Sequence, residues 1–416
     1  MLANYADILR LPGAKRFSLA GAILRMPMSM VGISIILTVK DAYGNYTMAG
    51  AVAAVSIIAL SVCAPLLARL VDARGQRAVM LPSLLATSIA LLIFTVAAFL
   101  QAPPWVIFVS AAVSGATWGA PGALVRSRWA VVVKNPQQLT TAYALEAAID
   151  ELVYIIGPII ATMLGTVLHP ATGIILSVVF ICIGVAGFFS HTASEPPLTS
   201  NEEKTHRSTV MRHPVVLGLA LTYIGAGAMF GAVDVSVVAF TEKAGHTSLA
   251  GVMLGIFALG SLIAALIYGA RTWYQSLWKL FAIGVVALAF GASSFLFATN
   301  LWVLGAAMLL TGLTIAPTMT NVNTIVSKVV PSTQLTEGLT WMSTTMNIGV
   351  SLGSLLGGRF IDTSGAAGGF TVVMVCAWIM VLLMLMGLPS LKKHTEIAAA
   401  ESYLPQSPET LEEPAN

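Results

Sequence analysis

Arg25, Glu146, Asp150, Glu151, Asp234 and Glu337 stand out because they interrupt long apolar stretches. Charge in such surroundings is costly enough to mark function by default. Glu146 and Asp150 are four apart, so on a helix they share one face, while Glu151 points about 100° away from Asp150. Burial disfavours the charged form of a carboxyl, so an acid in this position can exchange a proton near neutral pH. That is the minimum equipment for coupling a process to a proton gradient. We take Asp150 or Glu151 as the proton-coupling acid, with Arg25 as its charge partner or as an anion-binding group. For Glu146 the simpler expectation is an ion pair with Arg126 or Arg128.

These residues must be held by elements suited to lipid. Of the 416 residues 57% are hydrophobic and 9% charged, against about 25% charged in an average soluble domain. A chain so poor in charge cannot cover a water-facing surface. A hydrocarbon core about 30 Å thick needs roughly 20 apolar residues per helix. On that basis spans fall near 17–39, 47–69, 78–100, 105–128, 140–168 and 171–190, then 214–240, 248–270, 277–298, 301–327, 337–361 and 368–388. The fold class is therefore an all-α membrane protein of twelve transmembrane helices. A bundle over 1–190, a polar link over 191–213 and a second bundle over 214–390 precede an acidic tail, 391–416, expected to be disordered. The first apolar run is too long for a signal-peptide core, so the first helix is expected to be retained.

Lysine and arginine fix the orientation. With both termini in the cytoplasm, 17 of the 21 fall on the inner side, among them Arg69, Arg74, Arg77, Arg126, Arg128, Lys204, Lys392 and Lys393. Only Lys40, Lys243 and Arg359 fall outside, and Arg25 lies within the first span. One missed helix would invert every later loop and erase that bias. The expected location is the inner (plasma) membrane. Cys63, Cys182 and Cys376 each sit alone in an apolar stretch, which argues against disulfides and metal ligation.

The two halves repeat. At a shift of 196 positions Gln138-Leu139-Thr140 meets Gln334-Leu335-Thr336, Pro121 meets Pro317 and Gly157 meets Gly353. At a shift of 201, Gly44 meets Gly245 and Ala49-Gly50 meets Ala250-Gly251. Matches on Gly, Pro and polar loop residues point to two pseudo-symmetric six-helix bundles, an arrangement that builds alternating access around a central site.

Between the second and third spans, Ala68-Arg69-Leu70-Val71-Asp72-Ala73-Arg74-Gly75-Gln76-Arg77 resembles the G-x-x-x-D-R-x-G-R-R loop of the major facilitator superfamily. Asp72, Gly75 and Arg77 are kept; Ala68 and Ala73 depart from the pattern. The resemblance extends over nearly the full chain, and it implies a cytoplasmic gate built from Asp72, Gly75 and Arg77, to which we add Arg126, Arg128 and Glu146. In the fifth span Gly157-Pro158-Ile159-Ile160-Ala161 is similar to the G-P-x-x-G-G segment of the family's drug:proton antiporters, with Pro158 expected to kink the helix. Ala111 stands where those antiporters carry an Arg in the fourth span, a departure that Arg25 would have to make good. The resemblance also implies that spans 1, 4, 7 and 10 line the cavity. Trp118, Tyr223, Phe230, Asp234, Pro317 and Asn321 are then the candidate substrate contacts.

The function so implied is secondary active transport: proton-coupled efflux of a small amphiphilic or drug-like molecule. A sugar or organic-anion metabolite is the alternative substrate, and a non-transporting membrane sensor the alternative of another class. The sequence holds no Gly-Lys-Ser/Thr phosphate loop and no H-E-x-x-H. No cofactor, enzymatic activity or nucleic-acid partner is therefore expected. The partners are a small-molecule substrate, protons and the lipid bilayer, with the chain acting as a monomer.

Overall fold

In hydrocarbon every backbone N–H and C=O must be satisfied within its own segment, and only helices or closed barrels achieve this. The chain takes the helical solution. The computed structural model describes residues 7–133, 136–190, 194–196, 210–269, 273, 275–330 and 335–403. The first half comprises α1 (Ala14–Tyr43), α2 (Tyr46–Arg74), α3 (Gln76–Phe99), α4 (Pro104–Trp118), α5 (Pro121–Val132), α6 (Pro136–Val167) and α7 (Thr172–Phe189). The second comprises α8 (Pro214–Lys243), α9 (Ala250–Gly269), α10 (Leu277–Ser294), α11 (Leu301–Gly312), α12 (Ile315–Val329) and α13 (Leu335–Tyr403).

The expected spans reappear with three changes. The fourth crossing is two helices, α4 and α5, parted at Gly119, whose φ of 69° and ψ of −146° suit a residue without Cβ. Pro121 then opens α5, where its missing N–H costs nothing. The tenth crossing is likewise split, between α11 and α12, at Leu313 and Thr314. Paired breaks at corresponding places are the structural form of the sequence repeat. α13, by contrast, contains two crossings joined at Gly365, where φ is 67° and ψ is −164°.

The third change concerns the C-terminus. Residues 391–403 continue α13 as helix where a disordered tail was expected. Leu391 and Thr395 are buried there, and the Trp278 indole N–H donates to Glu396 Oε1 at 3.3 Å. Apolar contact and a partner for the indole outweigh the acidic composition that suggested disorder. Residues 404–416 and most of the 191–213 link lie outside the described residues.

Small residues set the helix spacing, as they do where lipid offers no hydrophobic drive. Gly349, Gly353 and Gly357 face α8: a Cβ on Gly353 would lie 1.8 Å from the Ala228 carbonyl oxygen, and one on Gly349 2.2 Å from that of Ile224. Across the halves, Gly50 of α2 meets the Ser354 carbonyl of α13, and Gly251 of α9 meets that of Pro158 of α6. The first and second halves thus touch through the pairs α2–α13 and α6–α9.

Candidate substrate and coupling site

Asp150 and Glu151 fall at the centre of the 32-residue α6, and their 100° separation gives them different surroundings. Asp150 faces α1 and α5. Its Oδ1 accepts from Arg25 at 2.7 Å and its Oδ2 from Arg126 at 2.6 Å. One turn earlier Glu146, fully buried, pairs with Arg25 and accepts from Ser18 Oγ at 2.6 Å and Trp129 Nε1 at 2.7 Å. Arg25 is itself fully buried and also donates through Nε to the Gly21 carbonyl at 3.1 Å. Two arginines and two carboxylates therefore form one charge-balanced network. Gly122 leaves room for Arg126, whose Nη1 would lie 3.0 Å from a Cβ there.

Two expectations change at this point. Glu146 pairs with Arg25, not with Arg126 or Arg128, because α1 packs its Arg25 face against α6 while Arg126 is taken by Asp150. Arg128 points away: its guanidinium stacks 3.8 Å above the Phe188 ring, donates to Gln76 Oε1 at 2.9 Å and to the Phe188 carbonyl at 2.8 Å. It ties α5 to α3 and to the end of α7.

Glu151 and Asp234, both half-buried, have no hydrogen-bonded or ionic partner among the described residues. They come from opposite halves, α6 and α8. Tyr154, one turn beyond Asp150, lies within electrostatic reach of Asp150, Glu151 and Asp234 together. Its side chain is 45% exposed at mid-helix. Sequence reasoning missed Tyr154. An aromatic four residues after an intramembrane acid was the available signal.

The remaining candidates divide. Gly75, at φ 91°, is the whole joint between α2 and α3, and the Arg77 backbone N–H donates to Glu195 Oε1 at 2.9 Å. Asp72 lies in the last turn of α2; its side chain lies outside the described residues. Trp118 and Tyr223 are buried in packing, Phe230 is half-buried against Phe257, and Pro317 sits in the first turn of α12. Asn321 is buried and accepts from the Tyr268 hydroxyl at 2.7 Å. The helix continues through Pro158, while Gly157 admits Ser29, whose hydroxyl donates to the Val153 carbonyl at 2.8 Å.

The family model described as Major Facilitator Superfamily matches residues 17–273 and 248–411. The chain belongs to the major facilitator superfamily. It is a transporter of that family and not an enzyme, a multi-pass helical protein of the membrane. No curated protein matches it in sequence. Among solved structures it is similar to the peptide transporter POT, at a TM-score of 0.69 and 13% identity over 93% of this chain and 96% of that one. The nucleoside transporter NupG gives 0.66 at 13% identity, over 92% and 100%. The human organic anion transporter MFSD10 (TETRAN) gives 0.60 at 15%, over 90% and 100%. At these identities the likeness carries the fold, and the substrate has to be argued from the site.

Proposed function

We propose that this major facilitator exports a small amphiphilic molecule, neutral or positively charged, in exchange for protons. The observation that supports it is the distribution of partners among the intramembrane charges. Arg25 and Arg126 are matched by Glu146 and Asp150, which leaves Glu151 and Asp234 as acids with no cation beside them. A site whose unmatched groups are both acidic attracts protons and organic cations and repels anions. This favours Glu151 over Asp150 as the coupling residue, and it counts against the organic-anion alternative, because Arg25 is fully engaged. Phe230 and Tyr154 supply aromatic surface for the apolar part of such a molecule. The lysine and arginine bias supports cytoplasmic termini in the plasma membrane, and proton exchange across that membrane drives export.

The test is flux in proteoliposomes under an imposed pH gradient, with lipophilic cations, neutral amphiphiles, sugars and organic anions offered separately. Gradient-dependent movement of the first two classes is expected. In Glu151→Gln the gradient dependence should vanish while downhill exchange persists. Coupled flux undiminished in both Glu151→Gln and Asp234→Asn, or flux of anions alone, would end the proposal.

A further inference from the structure

At the end of the molecule holding Tyr43 and Lys243, five side chains join the two halves. Lys40 of α1 pairs with Glu242 Oε1 of α8 at 3.1 Å and lies 5.1 Å above the Tyr46 ring. Glu242 Oε2 accepts from the Tyr46 hydroxyl. Asp362, in the second half, reaches across to the start of α2. Its Oδ1 accepts from the Tyr46 backbone N–H at 2.8 Å, and its Oδ2 from the Thr47 backbone N–H and hydroxyl, each at 2.6 Å.

The start of a helix carries unsatisfied N–H groups and the positive end of its dipole. α2 has its own cap, Asn45, which accepts from the third of these N–H groups, that of Met48, at 2.7 Å. The first and second are satisfied from the other half. The backbones are shaped for this approach: a Cβ on Gly358 would lie 2.2 Å from the Tyr46 carbonyl oxygen, and one on Gly50 2.1 Å from that of Ser354.

We infer that Asp362, with the Lys40–Glu242–Tyr46 cluster beside it, is a latch that holds this end shut in one conformation and must release for the other. Rocking of the halves parts α2 from α13, so the carboxylate leaves the helix start in a single step. Release is not prohibitive, because water replaces the lost donors: the Lys40 and Glu242 side chains are already 27% and 44% exposed. The Lys40–Glu242 ion pair contributes little, and Asp362, itself exposed, supplies the bias through its three hydrogen bonds to the start of α2. The latch requires only that the halves move, not that they carry any particular solute.

Pulsed electron–electron distance measurements on the full chain test this. Spin labels would be placed at Asp41→Cys and Ala244→Cys, both exposed, with Cys63, Cys182 and Cys376 replaced by Ala. Asp362→Ala should raise the population with distant labels about fivefold, the effect of losing a helix cap, and Lys40→Gln less than about twofold. Thr47→Ala, which keeps the carboxylate and removes one donor, should give a smaller shift in the same direction. An unchanged distribution in folded Asp362→Ala overturns the latch; if that variant does not fold, an unchanged distribution in Thr47→Ala does so. A distance shift without proton-driven flux would sustain the latch and remove the substrate reading, and the converse result would do the reverse.

Discussion

Replacing Arg25 by glutamine separates the structural charges of this transporter from the working ones. The wild-type guanidinium makes a charge-assisted contact to Glu146, a second to Asp150 at 2.7 Å and a neutral one to the Gly21 carbonyl. Hydrogen bonds to charged groups contribute about 1.5–3 kcal/mol each, so two of them amount to roughly 3–6 kcal/mol. Breaking a buried pair by removing one partner costs about 3–5 kcal/mol, a compatible figure. After the substitution Glu146 keeps only the neutral donors Ser18 and Trp129, and Asp150 keeps Arg126. Arg25→Gln/Glu146→Gln removes both charges and should cost far less than the two single changes added together. Equilibrium unfolding in mixed micelles should show a coupling energy of at least about 2 kcal/mol in this cycle. Arg25→Lys should recover only part of it, because an ammonium cannot span two carboxylates and a carbonyl as a planar fork does. Additivity of the single variants to within about 0.5 kcal/mol would refute the network as a stabilising unit.

Three further outcomes follow from other parts of the molecule. Asp150→Asn should destabilise the protein while leaving gradient-driven flux measurable, and Glu151→Gln should do the opposite; identical behaviour in paired melting and flux assays would remove the distinction drawn between them. Gly353→Ala forces a Cβ toward the Ala228 carbonyl, 1.8 Å away, so α8 and α13 must separate; a loss of about 1–3 kcal/mol is expected in the same unfolding assay. Burial, and after it the charge of His394 at a ring distance of 5.0 Å, holds His213 below its ordinary value of 6.5. The unfolded chain therefore takes up the proton first as pH falls, so stability is complete above about pH 6.5 and declines below it; His213→Gln should flatten that part of a melting-versus-pH profile.

Crossing number and pseudo-symmetry were legible in one dimension, and the paired breaks, which the expected spans ran through, left a trace there. Run length counts crossings because hydrocarbon thickness is fixed. The breaks had a signal too: Gly119 followed by Pro121 disfavours a continuous helix, and Pro317 at the shift of 196 marks the second position. Partner choice was not legible. Arg126 and Arg128 are both near Glu146 in sequence, yet Glu146 is met by Arg25, 121 residues away, because the α1–α6 contact decides which faces meet. The same holds for Lys40, Tyr46, Glu242 and Asp362, which read as loop-end residues and acquire a role only when the two halves are brought together. Sequence ranks intramembrane acids by depth, and by depth Asp150 and Glu151 are equivalent. Partners separate them, for one lies between two guanidinium groups and the other has none among the described residues. A carboxylate held by two cations is committed to the ion-pair network, whereas one with no cation partner among the described residues is available for the proposed coupling. The assignment of coupling to Glu151 rests on that inequality, which no reading of spacing along α6 could supply.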